Sequence, residues 1–122
     1  MPEGPDVTEP SRAERATRCS LYRDGAVLRL VGDIDLGNWA GVGRRVAAEV
    51  GAGVVTLDLT EVHYFGAAGI RVVLHAHEAR SSGATLEVRC APAVFRVMRI
   101  SGLVGADGLR VTEYGRQGGA GR

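Results

Sequence analysis

Val54-Val-Thr-Leu-Asp-Leu59, followed by Val62-His63-Tyr64-Phe65-Gly66-Ala67-Ala68-Gly69-Ile70-Arg71, is the stretch whose reading decides the fold. The first run has the apolar content of a central strand, and the second passes through a short turn into a helix that extends to about Arg80. A strand that feeds a helix through a turn presents backbone N–H groups at the surface, where sites are commonly built. The turn itself holds no side chain fit to act as acid, base, nucleophile or metal ligand.

Working outward, the helix after the turn places Ala67, Arg71, His75 and Glu78 in one sector of its wheel. Ile70, Val72, Val73, Leu74 and Ala76 fill most of the rest, so the helix is expected to be largely buried with one narrow exposed stripe. Upstream, Ser20 to Val31 reads as two short strands around Asp24-Gly25, a dipeptide suited to a hairpin turn. Asn38 can cap a helix whose Trp39, Val42, Val46 and Val50 form one stripe, which Gly41 and Gly43 weaken and Gly51 and Gly53 end.

Downstream, Thr85 to Cys90 alternates Leu86, Val88 and Cys90 against Thr85, Glu87 and Arg89, the period of a strand. Pro92 suits the first turn of a third helix that ends at Ser101-Gly102, and a last strand covers about Leu109 to Thr112. The order is ββαβαβα plus β. Strands alternating with helices imply parallel pairs, and the hairpin adds an antiparallel one. The fold class is therefore α/β: a small, mixed, mostly parallel sheet with an N-terminal β-hairpin and helices packed against it.

The 122 residues, 45% of them hydrophobic, fit one soluble domain with its own core. Residues 1–16 carry three prolines and several charges and read as a flexible N-terminal tail, residues 17–114 as the folded domain, and residues 115–122 as a flexible C-terminal tail. A formal charge of +1 and scattered arginines give no argument for direct nucleic-acid binding. No apolar run approaches the roughly 18 to 20 residues that span a bilayer, and no signal pattern opens the chain, so a cytoplasmic location is expected.

Cys19 and Cys90 fit no metal-ligand or CxxC spacing and read as small apolar residues in or beside strands. His75 and His77 point roughly 160° apart on the helical wheel and cannot share a metal, and His63 adds no cluster. His77 reads as a packed histidine with a hydrogen-bond partner, and Trp39, Phe95 and Met98 as core residues. With no GxGxxG, Walker A, HExxH or GxSxG motif, neither an enzyme nor a cofactor or metal site is expected.

The element order, with Val31-Gly-Asp-Ile-Asp35-Leu36, Val54 to Val62, Gly66-Ala-Ala-Gly69-Ile70 and Ala91-Pro-Ala-Val-Phe-Arg-Val-Met-Arg-Ile-Ser-Gly-Leu103, resembles the STAS domain, the family of sulfate transporters and anti-sigma factor antagonists. The resemblance covers about Cys19 to Glu113. For the antagonist type it implies a partner-switching protein that binds an anti-sigma factor, often a serine kinase of the histidine-kinase-like ATPase fold, and so releases a sigma factor to regulate transcription, as in a stress response. In that family a serine in an Asp-Ser-Ser-Gly type turn is phosphorylated, and the added charge and bulk abolish binding.

Aligned on Gly69, this chain places Gly66 where the aspartate stands, Ala67 at the serine and Ala68 at the next hydroxyl residue. Ala67 cannot accept a phosphoryl group. Tyr64 reads as packing, Ser81 and Ser82 lie roughly four turns away, and Thr60 is the nearest other hydroxyl. The resemblance thus implies an antagonist without phosphorylation at the usual site, controlled by abundance, its tails or cysteine chemistry, or else a divergent member whose site has been reassigned.

The partner-binding residues expected are Asp33, Asp35, Gly66, Ala67, Ala68, Gly69, Arg71 and His75. Asp35 matches an acidic residue near the phosphorylation turn and reads either as partner recognition or as a loop carboxylate favouring the next helix's N-terminus. Asp33 is a weaker version of that case, and Asp58 matches a structural strand-end aspartate. Arg71 stands where a small residue is usual, and its guanidinium reads either as solvated or as an interface group that pairs with a partner carboxylate. The alternatives are a cytoplasmic STAS subunit of a lipid-transport ABC system and a stress-signalling scaffold. The expected oligomeric state is monomer or weak homodimer.

Overall fold

A computed structural model of the chain describes residues 18–115; residues 1–17 and 116–122, which include nearly all of the two expected tails, lie outside the described residues. Strand β1 (Cys19–Asp24) and strand β2 (Val27–Asp33) form the hairpin. The two loop residues are Gly25 and Ala26, one position later than the Asp24-Gly25 reading. Gly25 has φ +62°, a conformation that glycine adopts without a Cβ penalty.

Helix α1 (Trp39–Gly51) buries Val42, Val46 and Val50, three of the four residues of the expected stripe, while the fourth, Trp39, is only partly buried. Asn38 precedes it but does not cap it. Its amide nitrogen instead donates to the Asp33 carbonyl at 2.8 Å, and its Oδ1 accepts from the Asp35 N–H at 2.9 Å. Asn38 thus clamps the loop between β2 and α1, and its near-complete burial is satisfied on both sides.

Strand β3 (Thr56–Tyr64) starts two residues later and ends five residues later than the run Val54 to Leu59 suggested. The segment Val62–Tyr64, read as the start of a turn, is strand, and only Phe65 links β3 to helix α2 (Gly66–Ala79). Thr60 and Glu61 look like a loop in the sequence because they are polar. A register shift against β2, where Arg29 pairs with Asp58 but Val31 with Glu61, keeps the strand going with Val62 returned to the core. Asp58 is consequently mid-strand, not strand-end, and accepts bonds from the Thr60 N–H and hydroxyl at 2.9 and 2.6 Å.

Strand β4 (Leu86–Cys90), helix α3 (Pro92–Ile100) and strand β5 (Leu109–Glu113) complete the order. Pro92 stands in the first turn of α3, where its missing N–H has no intrahelical partner to lose. The sheet runs β1-β2-β3-β4-β5, antiparallel in the first pair and parallel in the other three.

One sheet face supplies Leu28, Leu30, Leu57, Leu59, Leu86, Val88 and Cys90 to a core shared with Val46, Val50, Val72, Val73, Ala76, Val94 and Met98 from all three helices. Each fully buried leucine contributes about 1.5–3 kcal/mol. The helices therefore lie on one face. The other face carries a register-aligned row, Tyr22, Arg29, Asp58, Arg89 and Thr112, with Arg29 paired to Glu61 and its guanidinium 4.7 Å from the Tyr22 ring centre. Met98 is core as expected, whereas Phe95 is only partly buried.

Candidate functional site

The C-terminal ends of the parallel strands β2 and β3 bring two segments together, residues 33–38 and 64–71. The Ile34 N–H donates to the Tyr64 carbonyl at 2.8 Å, which fastens the first segment to the second. In sheets of this kind the carboxyl ends of parallel strands are where ligands and partners gather.

Asp35 is half-buried, and its carboxylate Oδ1 accepts from the N–H groups of Gly37 and Asn38 at 2.9 and 3.1 Å, while its carbonyl accepts from Asn38 and Trp39. Both N–H groups lie in the turn just ahead of α1, so the aspartate orders the entrance to the helix, where a negative charge is favourable, without capping the helix itself. Its structural reading is thereby satisfied by one oxygen. Asp33, at the end of β2, is exposed.

Gly66 opens α2 with φ +54°, a region that among residues with a side chain favours asparagine and aspartate. Ala67 is exposed in the first turn of α2, and Ala68 and Gly69 are buried behind it. Arg71 and His75 are exposed on the same stripe as Ala67 and Glu78, as expected. The eight expected partner-binding residues therefore fall into a surface group, Asp33, Ala67, Arg71 and His75, and a supporting group, Asp35, Gly66, Ala68 and Gly69.

Trp39 is the functional candidate that sequence reasoning missed. It was assigned to the core, but it is only partly buried at the first position of α1, with the Arg71 guanidinium 5.1 Å from its ring centre and the His75 ring 5.8 Å away at 48°. A cation over an indole face is attractive, so the tryptophan holds Arg71 in place at the surface. Tyr64 was likewise read as packing and is 59% exposed, and Leu74, expected on the buried part of α2, is 40% exposed; with Leu36 at 79% they add exposed apolar area to these segments. Tyrosine, tryptophan and arginine grouped on one surface are the residue types enriched in binding hot spots.

The remaining candidates lie elsewhere. His77 is half-buried, and its Nε2 lies 2.8 Å from the Asp107 carbonyl, the hydrogen-bond partner that was expected. Among the described residues no group of three His, Cys, Asp or Glu side chains has metal-binding geometry, and no helix is long and apolar enough to cross a membrane.

Cys19 and Cys90 are both free, on β1 and β4 with two strands between them. At about 4.8 Å per strand they stand on the order of 14 Å apart, beyond disulfide reach. Burial pushes the Cys19 thiol up to about 11, with the Asp33 and Asp35 charges adding to it, and burial pushes Cys90 up to about 12, with Asp58 and Glu113 adding. Both are held as thiols at neutral pH, which argues against control through cysteine reactivity.

A protein-family model described as "Mlab, STAS domain" matches residues 18–111. That span takes in every strand and helix of the fold but the end of β5, and the chain belongs to the STAS-domain family. No curated protein matches the chain.

Proposed function

We propose that this STAS domain is an anti-sigma factor antagonist that acts by binding, not catalysis, and that it binds its anti-sigma factor whether or not that partner has ATP. The reading rests above all on Ala67: it stands exposed in the first turn of α2, where the family resemblance places the phosphorylated serine, and it has no hydroxyl. The partner in this reading is a cytoplasmic anti-sigma factor of the histidine-kinase-like ATPase fold. It docks on Ala67, Arg71 and His75 with Leu36, Trp39 and Tyr64 around them, and it releases the sigma factor it was holding.

A second reading is a cytoplasmic STAS subunit of a lipid-transport ABC system. Permanent subunit interfaces are more apolar than switched ones, and the exposed Leu36, Tyr64 and Leu74 around a site without a phosphate acceptor suit such an interface. The matching model's description also does not name antagonists.

Affinity purification of the full chain from its native cytoplasm, followed by mass spectrometry, separates the two. Recovery of an anti-sigma factor supports the first reading, and recovery of permease and ATPase subunits supports the second. With the anti-sigma factor in hand, affinity measured before and after ATP pre-incubation should be equal. Stoichiometric transfer of labelled phosphate to the chain would overturn the phosphorylation-independent form.

A further inference from the structure

Beside the candidate surface a shallow groove of about 520 Å³ runs between β1 and α1, lined by Cys19, Leu21, Gly37, Asn38, Val42 and, at its rim, Arg44 and Arg45. Its floor is apolar: Leu21 is partly buried and Val42 is 7% exposed. Arg44 and Arg45 are both exposed, and neither forms an ion pair among the described residues. Among the described residues the outer edge of β1 has no neighbouring strand there either.

Residues 1–17 are joined in sequence to this place. They precede Arg18, which is followed at once by Cys19, the first lining residue of the groove, and they lie outside the matched family domain. Their side chains include Glu3, Asp6, Glu9 and Glu14 against Arg12 and Arg15, so the segment is acidic where the rim is basic. Glu14 is four residues from Arg18, within about 14 Å at full extension. Covalent attachment sets the effective concentration of such a segment in the millimolar range.

We propose that residues 1–17 of this chain occupy the groove between β1 and α1, their acidic side chains, Glu9 and Glu14 foremost, paired with Arg44 and Arg45. The segment then covers Cys19. Because Gly37 and Asn38 belong both to the groove and to the loop that bears Asp35 and Leu36, an occupied groove also braces one side of the candidate surface.

The test is a charge-swap cycle in the full chain, read by the rate at which Cys19 is alkylated by N-ethylmaleimide, with the buried Cys90 as the internal reference. Glu9→Arg with Glu14→Arg, and separately Arg44→Glu with Arg45→Glu, should each speed Cys19 labelling about fivefold or more. The fourfold variant should restore protection. The Arg→Glu pair places added negative charge by the thiol, which by itself slows labelling, so acceleration reports exposure. Labelling rates within about twofold across all four chains, or a fourfold variant as reactive as either pair, would overturn the proposal. Protection that grows with protein concentration would overturn it in favour of a second copy in the groove.

Discussion

The Phe65 ring occupies the space where a side chain on Gly69 would be: a Cβ at Gly69 would lie 2.2 Å from Phe65 Cδ1. Phe65 is 4% exposed and is the single residue that turns β3 into α2. The glycine of the family turn is therefore needed for packing, independently of any phosphorylation.

Gly69→Ala should destabilise the protein by about 1–3 kcal/mol, because a buried aromatic ring must move to admit one methyl group. Gly43→Ala is the contrast. Its Cβ would lie 3.7 Å from the His75 ring, an ordinary contact, and the site is helical, so stability should rise by about 0.5–1 kcal/mol. Urea unfolding of the two variants checks the opposite signs.

Gly32 combines φ +122° with a Cβ position 2.6 Å from the Arg18 carbonyl oxygen. Backbone cannot step aside as a flexible side chain can, so Gly32→Ala should cost about 2 kcal/mol or more. Gly25→Ala, at φ +62° with open space around it, should cost about 1 kcal/mol. Thermal unfolding that ranks the two variants the other way would contradict the packing described for β1 against β2.

Trp39 is the only tryptophan, so its fluorescence reports on the candidate surface alone. Arg71→Ala should shift its emission to the red as the indole gains water, with a stability loss below about 1 kcal/mol. Arg71→Glu should lower the association rate with the partner, most at low salt. An unchanged emission would mean that the guanidinium does not rest on the ring.

Ala67→Asp should separate folding from binding. The first turn of α2 contains no acidic residue, so an aspartate there should stabilise the helix by about 0.3–1 kcal/mol. Partner affinity should nevertheless fall at least about tenfold, roughly 1.4 kcal/mol. Circular dichroism and a binding titration on the same sample read both effects.

The raised thiols give a pH dependence of definite sign. In the folded state Cys90 holds its proton up to about pH 12, against an ordinary 9.0. Above pH 9 the unfolded chain loses that proton first, so its contribution is complete below pH 9 and declines from there through pH 12. Cys19 acts in the same direction, up to about 11. Urea midpoints should fall with pH above 9, and less steeply in Cys90→Ala, whatever that variant's stability at pH 7.

Much of the fold was legible because its signals are local. Pro92 at the start of α3, the alternation of Leu86, Val88 and Cys90, and the stripe Val42, Val46 and Val50 each state one element within a few residues. The end of β3 was not legible, since Thr60 and Glu61 belong to a sheet face that no helix among the described residues covers and so lack the apolar mark of a strand. Asn38 gives up the capping role for a similar reason: it and Asp35 are both good capping residues, and only the loop's path decides that the amide clamps the loop while the carboxylate meets the N–H groups ahead of α1. The place of Trp39 depends on Arg71 and His75, far along the chain, and no local pattern encodes that meeting.

In this sheet every strand pairs with the one made just before it, and no later strand is inserted between two earlier ones. The domain can therefore assemble in the order of synthesis, each new helix and strand docking on an edge that already exists. The same order leaves the last unit, α3 with β5, able to detach without parting any other strand pair, as β1 can at the opposite edge. Native-state hydrogen exchange should find β5 opening ahead of β3, and the candidate surface, built on β2, β3 and the helices beside them, keeping its shape through that breathing.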